Sequence, residues 1–167
     1  MRPALLALFI LLASTLSAQH KSINQFIRHH NNGAENISFT IPGFLIGLAG
    51  EIGMIAAGDE EEKAAFSLAQ LLGTTRFLIF DSNDFDTDED IRRLLSELEG
   101  EHHYERWASI RAATGEQIEL TVQMKGKRVC DIVAIVKDAE EHQTVFLHAK
   151  TNFTAAELGE IMNELSK

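Results

Sequence analysis

The most acidic part of the chain runs from Asp81 to Leu95 and reads DSNDFDTDEDIRRLL. Clustered carboxylates are ligands that Ca²⁺ prefers, so the first chemistry to consider is a calcium loop of the EF-hand type. A loop that starts at Asp86 has acidic residues at positions three, five and twelve, as an EF-hand requires. Its sixth position, where the sharp turn needs glycine, is Ile91. The pattern therefore fails at the residue that shapes the loop.

A helix explains the same residues without a metal. Apolar side chains recur at i, i+3, i+4 and i+7, the spacing of an amphipathic helix, at Ile91, Leu94, Leu95 and Leu98. We predict that Thr87 is the N-cap of this helix and that the next three acids occupy its first turn, where the helix dipole favours them. A weak surface cation site among the remaining acids is the alternative that stays open.

Seven histidines raise the question of a transition-metal site. Four of them form adjacent pairs, His29 with His30 and His102 with His103. Neighbouring residues of a helix or strand point in different directions, so one such pair rarely binds one ion. No Cys or His partner stands at zinc-binding spacing. We therefore predict solvated surface histidines and no metal site.

Motifs for phosphate binding and nucleophilic catalysis are missing from the sequence. Gly47, Gly50 and Gly53 spell GxxGxxG, which is neither a dinucleotide fingerprint nor a P-loop. No GxSxG or SxxK motif occurs. Cys130 is the only cysteine and lies in the apolar run VCDIVAIV, which predicts a packed, inert thiol. The sequence thus predicts no catalytic residue and no cofactor.

The segment from residue 43 to residue 57, GFLIGLAGEIGMIAA, is unusually rich in glycine for a helix. Each helical glycine costs up to about 1 kcal/mol relative to alanine, so these glycines need a local reason. The bulky face, led by Leu45, Leu48 and Ile52, is expected to pack on a sheet, and the small face to contact another backbone. That possible packing or interaction face consists of Gly43, Gly47 and Gly50. Its partner is either the following helix, or a second copy of the protein or another envelope component.

Alternating and capped segments define the fold. NISFTI and QIELTVQM alternate apolar and polar residues, and TRFLIFDS and RVCDIVAIVK are short apolar strands. HYERWASIRA is a weaker strand, with Trp107 as its expected anchor. KGK supplies a turn around Gly126, and Thr154 with Glu157 forms a capping box before a last helix. These elements predict α+β architecture in a single domain, with a mostly antiparallel sheet covered by helices.

Composition and charge limit the possible partners. The 167 residues suffice for one domain with a core, and 45% hydrophobic with 24% charged residues is the balance of a globular protein. The formal net charge is −10. Because an excess of acid repels phosphate, nucleic acid is not an expected partner.

The first 18 residues, MRPALLALFILLASTLSA, have the layout of a secretory signal peptide: a cationic start, a short apolar run and a small-residue end. We predict cleavage after Ala18. The resulting domains are 1–18, the signal peptide, and 19–167, the mature domain. The apolar run is too short for a spanning helix, so no stable membrane span is expected after processing. The predicted location is periplasmic or secreted.

Four segments carry a resemblance to a known family: ENISFTIPGF, TRFLIF, YERWASIRAATGEQIELTVQMKGKRVCDIVAIVKD and QTVFLHAKTNFTAAELGEI. Together they resemble a family of exported Bacteroidetes proteins known as domain of unknown function 4252, over Ile23 to Met162. The resemblance implies a signal-bearing, single-domain envelope or secreted protein without an assigned activity. It carries no functional residues over to this chain.

Two classes of function fit these observations. The first is a non-catalytic envelope protein that binds a partner or assembles with itself, and it is favoured because folding already explains every well-patterned segment. The second is an enzyme whose site residues are dispersed along the chain. A cluster of polar side chains that converge in one pocket would favour the second class.

Overall fold

The computed structural model describes residues 21–33, 36–58, 60–113, 115–157 and 160. The predicted signal peptide and most of the predicted last helix lie outside these residues. Helix α1 covers residues 21–30. The other helices are α2 (Gly43–Ala56), α3 (Glu60–Gln70) and α4 (Thr87–His102). The strands are β1 (Ile37–Ile41), β2 (Leu72–Asp81), β3 (Tyr104–Arg111), β4 (Gln117–Lys125), β5 (Arg128–Asp138) and β6 (Gln143–Thr154).

The strands form one sheet in the order β1-β2-β6-β5-β4-β3, and every neighbouring pair is antiparallel. The predicted single α+β domain is confirmed, with a sheet that is antiparallel throughout. The turn between β4 and β5 contains Gly126 at a φ of 65°, which glycine adopts without strain, as the KGK segment predicted. β6 inserts between β2 and β5, so the two halves of the chain share one sheet.

α1 and α4 pack on one side of the sheet, which we call the helix-covered face. The apolar stripe predicted for α4 is buried there, and Ile23 and Phe26 of α1 complete the helical side of the core. The sheet contributes Leu78, Phe80, Tyr104, Val133, Ile135 and Phe146. Burying one such side chain stabilises the fold by about 1.5–3 kcal/mol, so this cluster is what fixes the two helices to the sheet.

Two local predictions are wrong. Trp107 is 37% exposed because the β3–β4 register shifts between its two neighbours, and Tyr104 is the buried anchor of β3. Thr87 is not the N-cap of α4, since Asp86 holds that position. The buried Thr87 hydroxyl instead donates to the carbonyl oxygen of Ser82, 2.9 Å away, and so ties the helix start to the preceding turn.

The capping box predicted at the end of β6 is confirmed. The backbone N–H of Thr154 donates to Glu157 Oε2, and the N–H of Glu157 donates to Thr154 Oγ1 over 3.2 Å. The hydrogen bonds from Thr154 hold the pKa of Glu157 below its ordinary value.

Candidate functional site

The last turn of α1 and the first turn of α4 bring His29, His30 and Asp90 together. His29 Nε2 lies 3.4 Å from Asp90 Oδ2, and His30 Nε2 lies 3.2 Å from the same oxygen. One ligand atom from each residue lies within 4.8 Å of the others. Two imidazole nitrogens with one carboxylate oxygen are a donor set that suits transition metals.

His30 is the buried centre of this group, with no exposed surface. Its ring centroid lies 4.2, 4.4 and 4.7 Å from those of Phe26, Phe80 and Phe85. Its Nδ1 lies 3.0 Å from the carbonyl oxygen of Phe26. Because a carbonyl oxygen only accepts, Nδ1 carries the hydrogen and donates it. Burial lowers the pKa of His30, so the ring is predominantly neutral at pH 7.

Asp90 uses its two oxygens differently. Arg93, one turn along α4, contacts Oδ1, whereas Oδ2 faces the two histidines. The side chain of His29 is 54% exposed, so the group is open on that side. A cleft of about 500 Å³ adjoins it and is also lined by Ser22, Gln25 and Glu97. The arrangement gives an ion or a small molecule a route from solvent to a buried imidazole.

The prediction of solvated surface histidines is wrong for three of the described residues, since His30, His102 and His148 are buried. The argument that an adjacent pair diverges also fails for His29 and His30. Their rings are nearly perpendicular, at 88°, yet both turn a nitrogen toward Asp90. Both rings can face the same oxygen because Asp90 lies on α4, beside the helix that carries the two histidines.

Sequence periodicity contained a signal for this group. His30 follows Ile23 and Phe26 at i+7 and i+4, so it continues the buried stripe of α1. Asp90 precedes Leu94 by four residues and so lies on the buried stripe of α4. A titratable residue on an apolar stripe is buried when its helix packs, and a buried polar group needs a partner.

Residues 30–161 match the protein family described as domain of unknown function (DUF4252). The chain belongs to this family. The matched region starts at His30 and includes Asp90 and all the strands from β1 to β6. No curated protein and no solved structure matches the chain. The family description assigns no activity, so the function of this DUF4252 domain has to be inferred from its geometry.

A second buried polar group of the DUF4252 domain lies on β5 and β6. Asp131 is 1% exposed, its Oδ1 lies 2.7 Å from His148 Nε2, and its Oδ2 contacts the Lys150 ammonium. Burial would raise the pKa of Asp131, but the hydrogen bonds and charges of His148 and Lys150 outweigh burial and hold that pKa below its ordinary value. The members neutralise one another, which is the pattern of a structural ion cluster.

The face of the sheet opposite α1 and α4 carries two apolar rows that cross every strand. In spatial order, the register aligns Ile37, Ile79, Val145, Val136, Ile118 and Ile110 in the first row. The second row is Phe39, Phe77, Leu147, Ala134, Leu120 and Ala108. We call these twelve residues the apolar strip. None of them is buried, and five are between 40% and 57% exposed.

Burial increases along the strands beyond the strip. In the next row, Thr75, Ala149 and Val122 are fully buried. Val122 belongs to a small core cluster with Val129 and Phe153 at that end of the sheet. Among the described residues, cover over this face therefore ends before the apolar strip begins.

The three glycines of the predicted interaction face have different surroundings in α2. A β-carbon at Gly43 would lie 2.9 Å from backbone atoms of Gly73, and one at Gly50 would lie 2.6 Å from Gln70 Cγ. No described atom lies within 4 Å of a β-carbon at Gly47. Gly43 and Gly50 thus permit close approach to β2 and α3. A contact with another molecule through this face stays a prediction.

The bulky side of α2 does not pack on the sheet as predicted. Phe44, Leu45 and Leu48 are 74%, 44% and 51% exposed. The physical reason is the close contact at Gly43 and Gly50, which turns the small side of the helix inward. The side chain of Ile52 lies outside the described residues.

Replacing Gly47 with alanine should raise the free energy of unfolding by up to about 1 kcal/mol. The position has room for a β-carbon, and alanine has a higher helix propensity than glycine. Replacing Gly43 with alanine should lower it by about 1–3 kcal/mol, because the new β-carbon overlaps fixed backbone. Urea unfolding of the two variants measures both changes. Equal destabilisation by both substitutions would contradict this description of α2.

The acidic stretch and Cys130 agree with structural roles. α4 occupies the residues that an EF-hand loop would need, and its first turn contains Asp88, Glu89 and Asp90. Asp88 lies 2.6 Å from Lys137 Nζ. Cys130 is half-buried at a register shift in β5, and burial raises the pKa of its thiol.

In the described part of the chain, no helix combines the length and apolar character needed to cross a membrane.

Proposed function

We propose that the mature chain is an exported, non-catalytic binding module of the cell envelope that assembles with a second copy of itself through the apolar strip. The observation that carries the proposal is the strip: apolar side chains from all six strands stand exposed or half exposed in two unbroken rows. A contiguous apolar patch on a folded domain is typical of an interaction site.

Charge narrows the choice of partner. The chain has a formal net charge of −10, yet neither row of the strip contains a charged residue. A partner that placed a charge against the strip would bury it unpaired, at a cost of several kcal/mol per ion. A second copy presents the same uncharged rows. The acidic remainder of each copy then stays at the rim, where salt screens the repulsion.

Shape also favours a second copy. Two sheets pack face to face at a distance of about 10 Å with their strands within about 30°. Six strands about 4.8 Å apart give the strip a length of about 24 Å. A two-fold axis places the strip of a second copy, which has the same length, against it. The competing occupant within the chain is the segment of residues 158–167. As the helix that the capping box at Thr154 and Glu157 predicts, these residues would extend about 15 Å, which is shorter than the strip.

The test compares three forms of the mature chain, residues 19–167, by sedimentation equilibrium. Val136→Lys places a charge in the middle of the strip, at a residue that is 42% exposed. Ser38→Lys is the matched control, because Ser38 is an exposed residue whose side chain points to the opposite face. Wild type and Ser38→Lys should dimerise. Val136→Lys should weaken dimerisation by about 100-fold or more, because the buried lysine has no counter-charge.

Two results would contradict assembly through the strip: a monomeric wild-type chain, or a Val136→Lys variant that dimerises like the Ser38→Lys control. A monomer that dimerises only after removal of residues 158–167 would show that the chain covers its own strip. That outcome also counts against the proposal. Thermal melting of each variant verifies that it is folded.

The export part of the proposal is supported by residues 1–18, with their cationic start, apolar run and small-residue end. The proposed location is periplasmic or secreted. Intact mass of the protein purified from cells should give a chain that begins near Gln19. An unprocessed N-terminus would contradict export, and a lipid-modified N-terminus would contradict a soluble mature protein that begins near Gln19. Neither result would affect the assembly test.

A dispersed-site enzyme is the second candidate function. The observation that favours it is the convergence of His29, His30 and Asp90 beside a cleft. The chemical property of this group that can be tested without a known substrate is metal binding.

A further inference from the structure

His30 Nε2 is the decisive atom of the group between α1 and α4. It is buried and makes no hydrogen bond to any described residue. Because Nδ1 donates its hydrogen to the Phe26 carbonyl oxygen, Nε2 presents a lone pair in the neutral ring. The atom facing it is Asp90 Oδ2, at 3.2 Å, which also carries lone pairs. Two buried acceptors this close are destabilising unless a cation or a proton lies between them.

We propose that His29, His30 and Asp90 bind a divalent transition-metal ion of the zinc class, with a fourth coordination position open to the adjoining cleft. The ion would accept lone pairs from both imidazoles and from Asp90 Oδ2. This role is independent of the assembly proposed above, because the group lies between α1 and α4, whereas the apolar strip lies on the opposite face of the sheet.

Two of the three separations between ligand atoms match those of a tetrahedral ion, and the third, between the two imidazole nitrogens, is within 4.8 Å. With metal–ligand bonds of about 2.0–2.1 Å, neighbouring ligand atoms of a tetrahedron are about 3.3 Å apart. The two nitrogen–oxygen separations here are 3.2 and 3.4 Å. Octahedral Mg²⁺ with bonds of the same length would require about 2.9 Å and prefers oxygen to nitrogen. These two separations and the donor type therefore favour zinc over magnesium.

The groups around the ligands match those of metal sites. A metal-bound histidine usually donates its other ring N–H to a carbonyl or carboxylate, and a ligating carboxylate is itself hydrogen-bonded. His30 donates Nδ1–H to Phe26, and Arg93 holds Asp90 through Oδ1. The ring of Phe85 packs against both imidazoles, at centroid distances of 5.2 and 4.7 Å. These contacts restrict the directions of His30 and Asp90 before any ion arrives.

The exposed side of the group, at His29, explains how an ion would enter and which residues would lie near it. Three protein ligands leave one position for water or another ligand, as in zinc sites that act on small molecules. His29 borders the cleft of about 500 Å³, which Gln25 and Glu97 also line. An ion at the group would therefore be held by the protein on one side and exposed to the cleft on the other.

The test is a zinc titration of the mature chain, first treated to remove any metal, in competition with a chromophoric chelator. Wild type should bind one Zn²⁺ per chain. His29→Ala should weaken binding by at least about 100-fold, and it should fold normally because the lost side chain is half exposed. His103→Asn is the control: it removes an exposed imidazole elsewhere, and asparagine tolerates the φ of 57° at that position. It should bind zinc like wild type.

A second readout separates coordination from adventitious binding. Co²⁺ in wild type should give the intense visible absorption of tetrahedral Co²⁺, and Asp90→Asn should lose it. Val136→Lys should keep full zinc affinity, so a failure of assembly and a failure of metal binding remain distinguishable. Equal zinc affinity in wild type and His29→Ala, or a Co²⁺ spectrum of the octahedral type, would overturn the proposal.

Discussion

Replacing Asp131 with alanine should lower the free energy of unfolding by about 3–5 kcal/mol, the range expected when one partner of a buried ion pair is removed. The carboxylate is 1% exposed and contacts both His148 and Lys150. Its loss removes the oxygen that lies 2.7 Å from Nε2 of His148, a residue that is 3% exposed. The missing side-chain volume adds a smaller loss of packing.

The same carboxylate predicts how stability depends on pH. The pKa of Asp131 is lower in the folded chain than in the unfolded chain, whose ordinary value is about 3.9. The unfolded state therefore binds the proton first as the pH falls. The contribution of Asp131 is complete above about pH 4 and is lost as the pH falls through the lower, folded-state pKa. Asp131→Ala should remove this part of the acid sensitivity.

Urea unfolding at neutral pH and at several acidic pH values measures both effects. The control is Asp88→Ala, which breaks the contact with Lys137 at an aspartate that is 60% exposed. An exposed ion pair contributes at most about 1 kcal/mol, so the control should change stability little. If Asp131→Ala and Asp88→Ala cost the same, the cluster on β5 and β6 does not stabilise the fold as described.

Replacing Phe146 with alanine should lower the free energy of unfolding by about 3–5 kcal/mol through lost burial and a residual cavity. Phe146 is fully buried in the middle of β6, and its ring centroid lies 5.0 Å from that of Phe26. It thus joins α1 to the sheet. Because α1 carries His29 and His30, this variant should also weaken zinc binding.

Phe44→Ala is the matched control for Phe146→Ala, since Phe44 is 74% exposed on α2. It should change stability by no more than about 0.5 kcal/mol. Thermal unfolding with and without Zn²⁺ measures stability and its coupling to the metal. Similar losses for the two phenylalanine variants would place the principal core elsewhere.

Local patterns predicted the elements better than their arrangement. Alternation identified β1 and β4, and the apolar spacing of α4 identified each of its buried leucines. The insertion of β6 between β2 and β5 has no local signal, because it depends on pairing between distant segments. The apolar strip is likewise a product of register, since its rows take one residue from each strand.

The convergence of His29, His30 and Asp90 escaped prediction for a related reason. The stripe positions of His30 and Asp90 could be read from the sequence, but the packing of α1 against α4 could not. The α2 prediction failed because hydrophobicity alone assigns bulky residues to the interior. Gly43 reverses that preference, since only a residue without a β-carbon fits against the backbone of Gly73.

Assembly through the apolar strip is tested most directly by carbene footprinting of the mature chain across a range of protein concentrations. Labelling of Ile37, Ile110 and Val136 should fall as dimers form, because these residues become buried between the copies. Labelling of Phe44 and Leu48, which are exposed on α2, should stay constant. Strip labelling that does not change with concentration, or protection confined to α2, would contradict the account.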